Sequence, residues 1–198
     1  MIEIVLATHN RDKIRELKEL LESPDIKVLT LDDFPSFPEV VEDGKTLKEN
    51  AVKKAGAVSR ATGKLSVSDD SGLEVKILNG EPGVNSSRFA GEDCSYADNN
   101  RKLLKMMENV PENLRAARFK CVAALASPDG TVRTLEGICK GMISTEIRGN
   151  AGFGYDPVFI IPEYGATLAE LGPEIKNKIS HRSLAFRKVK KLLISLSG

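Results

Sequence analysis

Apolar positions along the chain change period several times, and each change marks an element. Ile2 to Ala7 is an apolar run of strand length, closed by the polar Thr8-His9-Asn10. From Asp12 the period becomes helical, with Ile14, Leu17, Leu20 and Leu21 on one face until Ser23-Pro24 stops it. Ile26 to Leu31 predicts a second strand, and the Pro- and acid-rich stretch from Asp32 to Gly44 predicts a loop. Leu47, Ala51, Ala55 and Val58 mark a long helix ended by Gly63, a residue suited to a helix C-terminus. Leu65 to Ser68 predicts a short strand running into Asp69-Asp70-Ser71-Gly72, after which Leu73 to Leu78 resumes extended.

Gly80 to Gly91 reads as loop, and Tyr96 to Met107 as a helix with Leu103, Leu104 and Met107 on its apolar face. Phe119 to Ala126 and Thr131 to Ile138 flank Pro128-Asp129-Gly130, which predicts a β-hairpin. Pro157 to Ile161 is a further strand, and a last helix carries Leu184, Val189, Leu192, Leu193 and Leu196. Strand–helix alternation followed by a hairpin predicts an α/β fold with a mixed β-sheet and flanking helices. No internal repeat or linker divides the chain, so residues 1–198 are expected to form one domain.

Composition narrows the function classes. The 198 residues are 41% hydrophobic, enough for one domain or two lobes sharing a core. No run of roughly 18 apolar residues occurs, which argues against a membrane span. Met1 to Leu6 lacks the basic start of a signal peptide. Lys plus Arg number 29 against 28 acids, a net charge of +1, so no global field draws the chain to nucleic acid or an anionic membrane. A polyanionic ligand must therefore be held by a few placed cations. The 3 cysteines, with no C-x-x-C pair, fit neither a disulfide framework nor a zinc cluster and point to a reducing cytoplasm.

Four segments carry candidate chemistry. Thr8-His9-Asn10-Arg11-Asp12-Lys13 joins the first strand to the first helix, where free N–H groups and the helix dipole suit a phosphate and Lys13 adds a charge. A Thr or Asn cap with Lys13 in solvent is the plainer alternative. Asp69-Asp70-Ser71-Gly72 places two acids at a strand end; they face one site only if the chain bends at Gly72, and an Asx turn explains the same residues. Carboxylates beside a phosphate site suit Mg2+, which takes one or two ligands from protein, and Glu39, Glu42 and Asp43 in the Pro-rich loop offer another. Gly149 to Pro157 fails the dinucleotide fingerprint but combines small residues, two aromatics and an acid, as a close-fitting ligand loop would. Lys176 to Arg182 clusters polar donors at the expected start of the last helix. There is no G-x-x-x-x-G-K-[ST], G-x-S-x-G or H-E-x-x-H.

Taken together, Thr8-x-Asn10-x-x-Lys13, Asp69-Asp70-Ser71-Gly72-Leu73, Pro82 to Arg88, Phe153-Gly154-Tyr155-Asp156-Pro157 and Ser180-His181-Arg182 resemble the inosine triphosphate pyrophosphatase family. The motifs keep that family's order from the first strand to the last helix. The resemblance implies an elongated, two-lobed fold with a central cleft, usually as a homodimer. It implies Mg2+-dependent hydrolysis of ITP, dITP and XTP to the monophosphate and pyrophosphate. Carried over by position, the segment Thr8, His9, Asn10, Arg11, Asp12 and Lys13 would bind the triphosphate. Asp70 would be the catalytic acid–base group, with Asp69 and Lys13 beside it and Ser71 touching substrate. Phe153, Gly154, Tyr155, Asp156, Lys176, His181 and Arg182 would form the nucleoside and base pocket. Asp70 and either Glu39 or Glu42 would hold the metal. Two other readings compete: a Maf-like pyrophosphatase of different specificity, and a nucleic-acid-binding module using Arg182, Arg187, Lys188, Lys190 and Lys191.

Overall fold

A computed structural model of the chain describes residues 1–34, 37 and 40–196. Its strands are β1 (Ile2–Leu6), β2 (Ile26–Thr30), β3 (Leu65–Val75), β4 (Ala116–Ala126), β5 (Val132–Ile143), β6 (Phe159–Ile161) and β7 (Ala166–Thr167). Its helices are α1 (Arg11–Leu21), α2 (Leu47–Thr62), α3 (Tyr96–Met106), α4 (Leu168–Ile179) and α5 (His181–Leu196). The strands make one open seven-stranded sheet of order β2-β1-β3-β4-β5-β6-β7. β1 lies parallel to both neighbours, with Ile4 opposite Val28 and Leu65, whereas β6 is antiparallel to β5 and β7. The mixed α/β sheet expected from the hydrophobic pattern is therefore present.

The chain condenses into two compact units. The first comprises Met1–Asp70, Cys121–Gly137 and Arg182–Gly198, and the second Ser71–Lys120 and Ile138–His181. In the first, Leu17 and Leu21 of α1 and Phe186, Val189 and Leu193 of α5 pack with Ile4, Leu6, Val67 and Ala123 from the sheet. Complete burial of a leucine such as Leu17 contributes about 2 kcal/mol. In the second, Leu103 and Met107 pack with Leu73, Val75, Phe119, Ile143, Phe159 and Leu168. Helix ends follow their local chemistry: Asn10 and Thr46 cap α1 and α2 by accepting from Lys13 N and Glu49 N, and Gly63 ends α2 at φ 64°.

Three expectations need correction. The Asp69–Gly72 segment is neither a turn nor a bend but the middle of an unbroken strand β3. Gly72 serves a close approach instead, since a Cβ there would meet the Gly83 carbonyl oxygen at 2.3 Å. Lys176 belongs to a separate helix, α4, and not to the start of the last one. That helix was hidden because Gly172 (φ 73°) and Pro173 kink it internally. Finally, Asp156–Val158 is a 3-10 turn, so the strand expected from Pro157 begins at Phe159. Among the described residues no helix is long and apolar enough to cross a membrane.

Candidate active site

In the first unit, β3 delivers Asp69 and Asp70 to opposite sides of the strand, as its alternation requires. Asp69 is buried toward α1 and α5. Its Oδ1 lies 3.3 Å from Lys13 Nζ, and its Oδ2 accepts from Arg182 Nε at 3.2 Å. Arg182 in turn donates from Nη1 to Glu16 Oε2 at 2.6 Å. Burial opposes a charge on this guanidinium, but Asp69 and Glu16 outweigh it and hold Arg182 protonated. The result is a row of alternating charge, Glu16–Arg182–Asp69–Lys13, buried except at its Lys13 end.

Asp70 faces α2. Its Oδ2 accepts from Asn50 Nδ2 at 3.1 Å, and its Oδ1 lies 4.0 Å from Lys54 Nζ. Burial pushes the Asp70 carboxyl above the usual aspartate range and Glu42 adds to the rise, while Lys54, Lys13 and the Asn50 hydrogen bond oppose it. Lys54 also bonds Glu42 Oε2 at 2.9 Å and the Asp69 carbonyl oxygen at 2.9 Å. Lys13 Nζ reaches that same carbonyl at 3.5 Å. Two ammonium groups from two helices thus converge on one backbone atom between two carboxylates.

Among the described residues no group of three or more His, Cys, Asp or Glu side chains forms a ready metal cage. Asp70 and Glu42 nevertheless both face the Lys54 ammonium. A place where two carboxylates already border one cation fits a hard divalent ion, which takes one or two protein carboxylates and completes its shell with water and phosphate oxygens. Glu39 lies outside the described residues.

In the second unit the glycine-rich segment closes on Asp156. Its Oδ2 accepts from Phe153 N at 3.0 Å and from Lys176 Nζ at 2.8 Å. The same ammonium stands 4.7 Å from the Phe153 ring centroid, a cation–π contact. Gly152, at φ 76°, is required because a Cβ would fall 2.1 Å from Asp156 Oδ2. Tyr155 is buried and donates its hydroxyl to Ser86 O at 2.9 Å. His181 stacks on Phe119, with centroids 4.6 Å apart and planes within 12°. Phe153, Asp156 and Lys176 are therefore one assembled cluster.

Other expected residues fall outside these clusters or, like Arg182, in a different one from that expected. Arg11 is spent on an exposed ion pair with Asp32 at 2.6 Å, and Asp12 on one with Arg15 at 2.7 Å. His9 is exposed, Thr8 Oγ1 accepts from Asn10 N, and Ser71 follows Asp70 partly exposed on β3. Arg182, placed with the base pocket from sequence, belongs to the first unit, whereas its neighbour His181 belongs to the second. Lys188 and Lys190 donate to the backbone carbonyls of Glu136 and Glu22. Sequence reading missed Lys54, Asn50 and Glu16. Asn50 and Lys54 sit four apart beside the buried Ala51 and Ala55, so two polar groups border the stripe that α2 turns inward. That offset was the available signal.

An open mixed sheet with two lysines, one buried and one half-buried, and carboxylates gathered at β3 defines an α/β protein equipped to bind a polyanion. The Ham1 family model matches residues 4–192, and the chain belongs to that family. A dITP/XTP pyrophosphatase of Desulforamulus reducens is 51% identical, over 97% of this chain and 96% of its own. One of Geobacter sulfurreducens is 48% identical, over 96% of each. The solved structure of a HAM1 protein from Coxiella burnetii matches with a TM-score of 0.90 at 41% identity, covering 98% of this chain and 100% of that one. The Staphylococcus aureus Ham1 protein matches with a TM-score of 0.87 at 40% identity, over 98% and 99%.

Proposed function

We propose that this protein hydrolyses the non-canonical purine nucleoside triphosphates ITP, dITP and XTP to the monophosphate and pyrophosphate. Relatives of nearly equal length and about half-identical sequence carry the name dITP/XTP pyrophosphatase. The observation that carries the reading is the convergence of Lys13 and Lys54 on the Asp69 carbonyl, beside a buried Asp70 whose carboxyl is pushed upward. Two cations without a net-positive surface suit one compact polyphosphate.

The chemistry follows from those positions. Lys13 and Lys54 bind the triphosphate and offset the charge that grows on the leaving pyrophosphate. Asp70 orients a water and accepts its proton as the oxygen–phosphorus bond forms at the α-phosphate and the bridging α–β bond breaks. An upward-shifted carboxyl is a better proton acceptor than an exposed one, which matches the task. Asp70 and Glu42 would hold a divalent ion, for which we take Mg2+; when bound it polarises water and phosphate oxygens. Glu16 and Arg182 fix Asp69, and through it the strand that carries Asp70.

Phe153, Asp156, Lys176 and His181 are assigned to the nucleoside. Hypoxanthine and xanthine present an oxygen acceptor at position 6, where adenine presents an amino donor. Lys176 can only donate, so a donor aimed there pairs with ITP and is left unpaired against ATP. A homodimer in the cytoplasm completes the reading. The test is ITP hydrolysis in 18O-water with and without Mg2+, followed by 31P NMR. IMP bearing the label, plus unlabelled pyrophosphate, is expected only with metal; IDP and phosphate as products would overturn the assignment.

A further inference from the structure

The second unit holds its aromatic loop from an unexpected direction. Tyr96 and Asn100 stand four residues apart on α3, hence on one face of that helix. Asn100 is 4% exposed and donates from Nδ2 to the Gly154 carbonyl at 3.0 Å. The Tyr96 ring lies against Phe153, with centroids 6.0 Å apart and planes tilted by 39°. At that separation the rings touch each other, so Tyr96 buttresses Phe153 and does not sandwich a base with it. One face of α3 thus grips two consecutive loop residues, one by its backbone and one by its ring.

The grip is anchored. Asn99 donates from Nδ2 to Ser87 O at 3.0 Å and accepts from Ala90 N at 2.7 Å, tying α3 to the segment that carries Ser86. Ser86 O is the acceptor of the Tyr155 hydroxyl. A Ser95–Asp98 capping box fixes the start of the helix. Meanwhile Asn100 Oδ1 is buried without a hydrogen-bond partner. An apolar side chain of that size would avoid this cost, so packing alone does not account for an amide at position 100.

We infer that Tyr96 and Asn100 are positioning residues for the nucleobase. They set the height and tilt of the Phe153 ring against which the base lies, and they take no part in bond cleavage. The inference rests on the reading that the Phe153 loop receives the base.

The test uses the full-length enzyme and compares Asn100→Leu, Tyr96→Ala and Tyr96→Phe, each alone and in a Phe153→Ala background. Asn100→Leu and Tyr96→Ala should raise KM for ITP and the inhibition constant of IMP by about tenfold, with kcat within about twofold. The inhibition constant of pyrophosphate, which lacks a base, should not move. Tyr96→Phe keeps the ring and should behave as wild type. In the Phe153→Ala background the α3 substitutions should add less than about twofold, because the ring they position is gone. Unchanged KM and IMP inhibition in the single variants would overturn the inference, as would undiminished effects without Phe153. A matching rise for pyrophosphate would also overturn it, since that marks general structural damage. Phe153→Ala with unaltered IMP inhibition would remove the base from this loop and overturn both readings. Wild-type enzyme inactive on ITP would sink the proposed function first.

Discussion

Arg182 offers the sharpest physical test of the first unit. The side chain is 3% exposed and bonded to Glu16 at 2.6 Å and to Asp69 at 3.2 Å. Replacing it with methionine preserves much of the volume and removes the charge. Asp69 keeps Lys13 at 3.3 Å, so the loss falls hardest on Glu16, which is 8% exposed. Breaking a buried pair from one side costs about 3–5 kcal/mol, because a carboxylate stays buried without the guanidinium that balanced it. For a chain of this length that lowers Tm by about 6–20 °C. Thermal unfolding followed by circular dichroism reads this directly. Glu16→Gln combined with Arg182→Met should unfold at a higher temperature than Arg182→Met alone, since one stranded charge is then absent. Catalysis should fall by the same factor for ITP and ATP, because the guanidinium acts on carboxylates. A loss below about 1 kcal/mol, the worth of a surface ion pair, would refute the buried row of charge.

Three further variants have defined outcomes. Asp70→Asn should lower turnover on ITP by about 10² or more while nucleotide binding persists, as measured by pyrophosphate release and calorimetry. The same variant bears on stability. The folded-state pKa of Asp70 lies above its unfolded value, so its contribution is present at low pH and is lost as pH rises through the folded value. Asp70→Asn should therefore raise Tm at pH 7, and the gain should vanish below about pH 4, where the unfolded carboxyl is protonated too. Lys54→Met should cut kcat/KM by about 10² or more with a raised KM, since its charge meets substrate and leaving group alike; a drop under about tenfold would remove Lys54 from the site. Gly72→Ala forces a methyl to 2.3 Å from a backbone carbonyl and should cost about 1–3 kcal/mol in urea unfolding, whereas an unchanged midpoint would mean the approach is not close.

The hydrophobic pattern was enough to outline the sheet and most helices, because Leu17, Leu21, Ala51, Ala55 and Leu103 each lie on a buried face that repeats at helical spacing. It failed where local residues argue against the element they occupy. Gly172-Pro173 reads as a break and is a kink inside α4, although Thr167 and Glu170 form the capping box that announces that helix. Asp69-Asp70-Ser71-Gly72 reads as a turn because Asp, Ser and Gly disfavour strands; ion pairs and a hydrogen bond on both sides offset that preference. Site residues near the ends of elements, such as Lys13 and Asp70, were legible from position. Lys54 and Glu16 were not, since a lysine or glutamate in a helix normally points to water, and only tertiary packing turns these two inward.

The central claim is that the chain favours ITP and XTP over ATP by the polarity at purine position 6, where both carry an oxygen acceptor and adenine an amino donor. Pyrophosphate release from ITP, XTP and ATP, measured side by side on the purified protein at saturating Mg2+, tests it most directly. A kcat/KM for ITP at least about 10² above that for ATP, with XTP near ITP, is the predicted result. Parity between ITP and ATP would contradict it.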